Sequence, residues 1–563
     1  LNKDRIDYFE YYTPFEKGIL WGRITRLEDA PNGDTLFIDL SLKNRKLIEH
    51  NALFFSNDGF LTSLISYRDE RSETNRNRLR EHYNARTEDI NFFVRNNQLT
   101  IDIFENPQLA LEQIRINLRP YLFCLEGNVV ASAEIRNFLE DCYERQNYFQ
   151  LKLIFGEEDD LGINPNELQD DFIYGDLFFS ASTPKEVHAK LKIICEQKDI
   201  TDDGLELSYS NIVDNENLHN LSDRVDNLFP NAIKEINFIC FNVGSGLNTN
   251  INIISAESEM TRVKFDIGAS MSHKKDKSFK YDKDNFYQNP SSEFLHIPEM
   301  TVLSHWDLDH IKGIEFYDTY EIYKMLWIAP NINNLKACDI SDFAKMLCVC
   351  ICLNERIDRR IGLYMYLVDK CLNNTIIHSN TYMTIAKTKG INDMTSSKRK
   401  NNYGLALKLH NSKSLLLTGD SDYDNLPDCV NGQHYDVFIM PHHGSDNQNP
   451  YFLPQTRFPV KPRTCCALEI SASCLYGCIC CKKYLNRETC KVRDISVEDF
   501  GKNRKEIMNN FIMNRILHKY SISIIPVGTN THKHPKIKEI EKMQQLGFLT
   551  WCTCCNGIFN IVL

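Results

Sequence analysis

The sequence predicts an α/β sandwich over residues 233–563 and a separate α+β region over 1–230, and three observations carry that division. After residue 233, short apolar runs repeatedly end on polar loops that carry His and Asp. The net charge of −11 is split unevenly, at about −17 over residues 1–232 and about +6 over 233–563. Acidic residues also accumulate late in the first region, at Glu157-Glu158-Asp159-Asp160 and again from Asp202 to Asp214, which marks a boundary near 215–232.

Length and composition agree with two or three domains. The chain has 563 residues, 42% hydrophobic and 25% charged, with 32 Phe and 25 Tyr, enough to fill more than one core. The most apolar runs, Met346–Leu353 and Ile361–Val368, fall well short of the ~20 residues a bilayer span needs. The first residues, Leu1-Asn2-Lys3-Asp4-Arg5, lead into an acidic segment without an apolar signal region. Twenty cysteines include adjacent pairs such as Cys465-Cys466 and Cys480-Cys481, which fits a reducing environment better than a secreted disulfide framework. The expectation is therefore a cytoplasmic protein with no membrane partner.

In the first region, Asp34–Leu40, Phe92–Val94 and Leu99–Phe104 read as strands. The clearest predicted helix starts at Thr183-Pro184-Lys185-Glu186, a threonine cap with proline at the first position and glutamate at the third. Val187, Leu191 and Ile194 follow at helical spacing. Arg71, Arg76, Arg78 and Arg80 crowd one stretch between Arg68 and Arg86. They read as a solvated helix face, with a phosphate grip as the alternative.

After residue 233 the runs Ile236–Val243, Ile251–Ile254, Val263–Phe265, Met300–Leu303, Ser414–Leu417 and Val437–Met440 all read as strands. Met300–Leu303 empties directly into Ser304-His305-Trp306-Asp307-Leu308-Asp309-His310. Residues i and i+2 of a loop leaving a strand point the same way, so His305 and Asp307 can address one cation. Asp309 and His310, at the turn into a helix, can address a second. Imidazole with carboxylate suits zinc, manganese or iron; the bland alternative is a loop whose aspartates cap the next helix. Ser414–Leu417 runs into Thr418-Gly419-Asp420, where the glycine lets the chain bend so that one carboxylate projects from the strand end and can bridge two cations. Pro441-His442-His443-Gly444-Ser445 follows another apolar strand and supplies an imidazole, from His442 or His443.

These motifs, in this order, resemble the metallo-β-lactamase superfamily, and within it the soluble hydrolase domain of ComEC-type DNA-uptake proteins. The likeness also takes in Val243-Gly244-Ser245-Gly246, Asp266-Ile267-Gly268, Asn402 with Leu405–Leu409, Val527-Gly528-Thr529-Asn530 with His534-Pro535, and Leu546-Gly547 with Thr550. It spans about 233–563. The resemblance implies a metallo-β-lactamase αββα sandwich holding two divalent metal ions, Zn or Mn. His305 and Asp307 would hold one ion, Asp309 and His310 the other, with Asp420 between them and His442 or His443 completing the set. Asp309 would also orient the attacking water, and His534 would give a proton to the leaving group or support a residue that does; the alternative for Asn530 and His534 is capping the final helix. The chain departs from the branch at Ser245-Gly246-Leu247, at Lys312, and at Asn401-Asn402, where many relatives carry a histidine. Asp307 in place of histidine hardens the site and tilts it toward manganese.

A Cys-rich insertion at about 446–518 holds Cys474, Cys478, Cys481 and Cys490, a candidate additional structural zinc site against plain packing. Three functions follow as expectations. The first is a metal-dependent phosphodiesterase, a nuclease on DNA or RNA, with Lys274, Lys275, Lys398, Arg399 and Lys400 as rim cations. The second is a hydrolase of a small molecule: a nucleotide signal, phosphodiester or lactone. The third is a non-catalytic regulatory or binding module. Fusion to a large first region also suits a bacterial defence effector whose N-terminal domain meets a protein partner.

Overall fold

The computed structural model describes residues 19–29, 36–43, 60–84, 104–113, 124–145, 147–155, 172–180, 185–198, 211–230, 232–241, 243, 246–269, 292–317, 320–335, 340–358, 364–390, 400–444, 455–456, 521–526, 539, 543, 548–553 and 559–563. It divides into two compact units, one of residues 1–210 with 336–364, the other of 211–335 with 365–563.

The first unit contains a closed antiparallel barrel of β1 (Ile19–Asp29), β2 (Leu36–Lys43), β3 (Cys124–Val130), β4 (Tyr148–Phe155), β5 (Phe172–Ser180) and β6 (Lys185–Lys198). The strands run in the order β1-β2-β3-β5-β6-β4, and β4 pairs back onto β1. Helix Ala133–Arg145, buried through Ile135, Leu139 and Cys142, links β3 to β4. Here the sequence reading needs correction: residues 185–198 form β6, paired with β4 and β5, and not a helix. The run Val187-His188-Ala189-Lys190-Leu191-Lys192-Ile193 alternates apolar and polar with period two. Two ladder partners reward that pattern more than a local capping box rewards a helix. Of the Arg-rich stretch, Arg76, Arg78 and Arg80 fall on helix Glu73–Asn84, where Arg76 and Arg80 are exposed and lie over the rings of Tyr67 and Phe104. Phe92–Val94 and nearly all of Leu99–Phe104 lie outside the described residues.

The second unit is built on two sheets. The first contains β7 (Asn211–Val213), β8 (Ile233–Cys240), β9 (Thr249–Ser255), β10 (Met260–Phe265), β11 (Met300–Val302), β12 (Leu326–Pro330), β13 (Met365–Val368) and β23 (Phe559–Val562). Their order is β23-β8-β9-β10-β11-β12-β13-β7, antiparallel up to β10 and parallel from β10 onward. The second contains β14 (Ile376–Ser379), β15 (Met383–Lys387), β16 (Leu405–His410), β17 (Ser414–Leu417), β19 (Val437–Ile439), β21 (Ser521–Ile525) and β22 (Phe548–Cys552). It too begins as an antiparallel meander and turns parallel from β17 onward. A small pair, β18 (His434–Tyr435) with β20 (Gln455–Thr456), stands apart.

One core joins the two sheets. Ile236, Phe238, Val263, Phe265 and Val302 come from the first, Leu405, Leu407, Leu415, Leu417, Val437 and Ile524 from the second, and all are buried in one cluster. Part of β8 and β9 alternates buried with half-buried positions, as antiparallel strands with one face on the core do, whereas β12, β13 and β15 are buried at every position. The outcome is a mixed α/β unit whose parallel strands β10, β11, β17, β19 and β21 all deliver a loop from their carboxyl ends. In open α/β sheets that edge is where ligands are held. Among the described residues, no helix is long and apolar enough to cross a membrane.

Candidate metal centre

Four of those loops converge. Asp266 follows β10, residues 304–310 follow β11, Thr418-Gly419-Asp420 follows β17, and 441–444 follow β19. Backbone bonds tie the loops together: Leu405 N–H donates to Ser304 O at 2.8 Å, Ile267 N–H to His310 O at 2.9 Å, and His442 N–H to Gly419 O at 3.2 Å. The first of these stitches β16 of one sheet to the loop after β11 of the other.

The backbone is bent hard to make this possible. Of the five non-glycine residues with positive φ among the described residues, three belong here: Asp266 (61°), His442 (49°) and His443 (53°). Each sits in the left-handed region that costs an L-residue roughly 1–2 kcal/mol, and such strain gathers where a side chain must be aimed. Gly419 has φ 58°, and a β-carbon there would come within 2.4 Å of Ser304 Cβ and 2.5 Å of Ser304 Oγ. Gly419→Ala is therefore expected to lower stability by about 1–3 kcal/mol and to weaken cation binding together with it, both measured as a shift in melting temperature with and without Mn²⁺.

Asp266, a wholly buried carboxylate, organises the imidazoles. Its Oδ1 accepts from Ser304 N–H at 2.6 Å and its Oδ2 from Ser304 Oγ–H at 2.7 Å. The same Oδ2 lies 2.7 Å from His310 Nδ1. A carboxylate only accepts, so His310 Nδ1 carries the proton. Ser304 has given its one hydrogen to Asp266, so at 3.0 Å it must accept from His305 Nδ1. His443 Nδ1–H donates to the carbonyl of Pro526, just past β21, at 2.8 Å. Every Nδ1 is thus engaged from behind, which turns the three Nε2 atoms inward with their lone pairs available to a cation.

Among the described residues, the polar atoms that face those nitrogens are carboxylate oxygens at 3.1–3.5 Å, which accept and do not donate. His305 Nε2, His310 Nε2, His443 Nε2 and Asp420 Oδ1 are all buried without a hydrogen-bond partner. Imidazole lone pairs facing buried carboxylate oxygens are costly unless a proton or a cation lies between them. Asp309, His310, Asp420 and His443 each offer a ligand atom, all within 4.8 Å of one another. This group could hold a metal ion.

Asp420 faces both ways. Its Oδ1 is 3.1 Å from His310 Nε2 and 3.7 Å from His443 Nε2. Its Oδ2 is 4.0 Å from His305 Nε2 and 3.7 Å from His442 Nε2. Asp307 Oδ2 lies 3.5 Å from His305 Nε2, on the same side. Of the two adjacent histidines, His443 joins the four-residue group and His442 faces the other oxygen of Asp420. Asp307 stands at the position before helix Leu308–Ile311 but makes no side-chain cap bond; its Oδ1 is 2.7 Å from Lys400 Nζ. Helix capping is thus not what occupies Asp307. His534, Asn530, Lys274, Lys275, Lys398, Arg399 and the cysteines of the insertion at 446–518 lie outside the described residues.

The charges shape the titrations. Burial opposes ionisation of Asp420, but His310, His442 and His443 outweigh it and hold the carboxyl well below its usual range. Burial likewise opposes ionisation of Asp307, and Lys400 and His305 overcome it, again keeping the group charged. In His310 burial disfavours the cation, yet Asp420, Asp266 and Asp309 raise its pKa well above 6.5. His443 is raised by Asp420 and Asp309 against the same opposition. Without an ion, then, these two imidazoles hold protons that a bound cation would displace.

Sequence reading passed over Asp266, Ser304 and the Pro526 carbonyl as parts of the centre. A lone Asp closing Val263–Phe265 was the signal for the first; nothing in the sequence marks a backbone carbonyl. Asn402 belongs behind the centre: its side chain donates to Asp422 Oδ2 at 3.0 Å and accepts from Asp422 N–H at 2.9 Å, pinning the turn that carries Asp420. Removing the support for a ligating imidazole costs about 10–100-fold in metal affinity. Asp266→Ala should show a loss of that size by calorimetric titration, with the far-ultraviolet circular dichroism unchanged.

Comparison with family models gives no match to this chain, and comparison with curated proteins gives none either.

Proposed function

We propose that the second unit is a metallo-β-lactamase-type sandwich and that the protein is a metal-dependent phosphodiesterase, a nuclease acting on DNA or RNA with two divalent cations. The observation that carries this reading is the two-sided Asp420, one oxygen toward His310 and His443, the other toward His305 and His442. A buried carboxylate between two imidazole pairs is what a bridging ligand requires. Divalent cations held by these residues would neutralise phosphoryl oxygens and lower the pKa of a water bound to them.

The chain's own residues do the rest. His305, His310, His442 and His443 supply neutral nitrogen donors, and Asp266, Ser304 and the Pro526 carbonyl keep three of those rings in the productive tautomer. Asp309, with a quarter of its side chain exposed, is the most open carboxylate of its group and is placed to accept a proton from an attacking water. The mild positive charge of residues 233–563 favours an anionic polymer over a neutral substrate.

The test is incubation of the full chain with single- and double-stranded DNA, RNA and bis(p-nitrophenyl) phosphate in Mn²⁺, Zn²⁺ or EDTA. Cleavage that needs metal and disappears in Asp307→Ala and Asp420→Ala is expected. Absence of cleavage of every phosphodiester in every metal overturns the proposal.

A further inference from the structure

We infer that Lys400 makes the two cation positions unequal, so that the position of Asp309, His310, Asp420 and His443 fills first and the position of His305, Asp307, Asp420 and His442 fills only at higher metal concentration. This rests on the two-cation reading above. The geometry is specific. Lys400 Nζ lies 2.7 Å from Asp307 Oδ1, with only 12% of the lysine side chain and 16% of the aspartate exposed. Among the described residues, Asp307 is the carboxylate that faces His305 besides Asp420, and Asp420 also faces His310 and His443. A pair this close and this enclosed is weakly screened, so the ammonium subtracts most of the charge that Asp307 would otherwise offer a cation.

At the first position the ion-pair partners of Asp309 among the described residues are imidazoles, not an ammonium. Asp309 faces His443 at 3.4 Å and His310 at 4.0 Å, both imidazoles that a cation would engage by their lone pairs. The second position has its own orphan, His305 Nε2, buried and unsatisfied, so it is shaped for a ligand and only its charge is reduced. Lys400 is also firmly mounted. It lies in the helical residues 400–402, whose Asn402 is bonded to Asp422, and three residues later Leu405 is bonded to Ser304 O. These bonds hold the backbone that carries Lys400 against the frame of the centre, and 12% side-chain exposure encloses its ammonium beside Asp307.

A cation in the second position would meet the Lys400 charge a few ångströms away. By Coulomb's law that repulsion alone is large; once the opposing charge of Asp307 and side-chain adjustment are allowed for, about tenfold or more in affinity remains. Mn²⁺ titration of the metal-free full chain, followed by calorimetry and by electron paramagnetic resonance, reads this directly. The wild type is expected to bind one ion at least about tenfold more tightly than a second, with a spin-coupled signal appearing only after the first equivalent. Lys400→Met should bring the two affinities to within a few-fold of each other by tightening the second, and Lys400→Arg should keep them apart.

Two equal affinities in the wild type, or a second affinity untouched by Lys400→Met, would overturn the inference while leaving the two-cation reading intact. A wild type that binds no ion, or one ion with no second at any concentration, would instead overturn the reading on which it rests. Should Lys400→Met fail to fold, the wild-type and Lys400→Arg titrations still decide the matter, because equal affinities in either contradict the inference.

Discussion

Asp420→Asn is expected to reduce cation affinity by at least about a hundredfold and to abolish detectable phosphodiester cleavage. The substitution keeps the shape of the side chain and removes its charge. It strikes both halves of the centre together, since each oxygen of Asp420 faces a different imidazole pair. An amide would also turn a donor toward a bound cation. The metal-free fold should survive, because His310 and His443 would no longer be held in their charged forms by Asp420 and could become neutral. Calorimetry with Mn²⁺ and a thermal melt in EDTA separate the two effects. Retention of metal binding within about tenfold would mean that Asp420 is not a ligand.

The second large effect is on pH. His310 and His443 have pKa values raised above 6.5 in the metal-free protein, so below those values each must release a proton before its Nε2 can bind a cation. Affinity should then fall by up to about tenfold per pH unit for each imidazole, or about a hundredfold for both. Stability moves the opposite way in the metal-free protein. A histidine whose pKa rises on folding stabilises the fold fully below its unfolded value, and that contribution is lost as pH rises through the folded value. Melting temperature in EDTA should therefore decline from about pH 6 upward, while excess Mn²⁺ removes the decline because the cation replaces the protons. Melting curves at half-unit pH intervals, with EDTA and with Mn²⁺, measure this. Parallel curves under the two conditions would contradict proton displacement at these residues.

Much of the second unit is legible in the chain. Ser414–Leu417 is a strand with the bounds its pattern announces, and Met300–Val302, Thr249–Ser255 and Val437–Ile439 lie within a residue or two of their apolar runs. Strands buried on both faces are continuous in hydrophobicity, and turn-forming residues close each one. The convergence of residues 305–310, 420 and 443 is legible for the same reason: each cluster directly follows such a strand.

The remainder depends on contacts remote in sequence. The segment Lys185–Lys198 has both a helix-starting box and a period-two alternation, and only its pairing with β4 and β5 decides between them. The division of labour between His442 and His443 follows from two successive left-handed residues, a conformation no local preference for histidine announces. The pairing of Lys400 with Asp307 joins residues 93 apart in number, where Leu405 N–H also bonds Ser304 O. Asp266 reaches His310 across the β10–β11 edge, a relation that appears only once those strands are known to be parallel neighbours.

Anomalous diffraction from crystals of the full chain soaked in Mn²⁺ tests the central claim most directly. A peak within about 2.0–2.3 Å of Asp309, His310, Asp420 and His443 is predicted. Empty density there, with an ordered water hydrogen-bonded to each inward Nε2 in place of an ion, would contradict it.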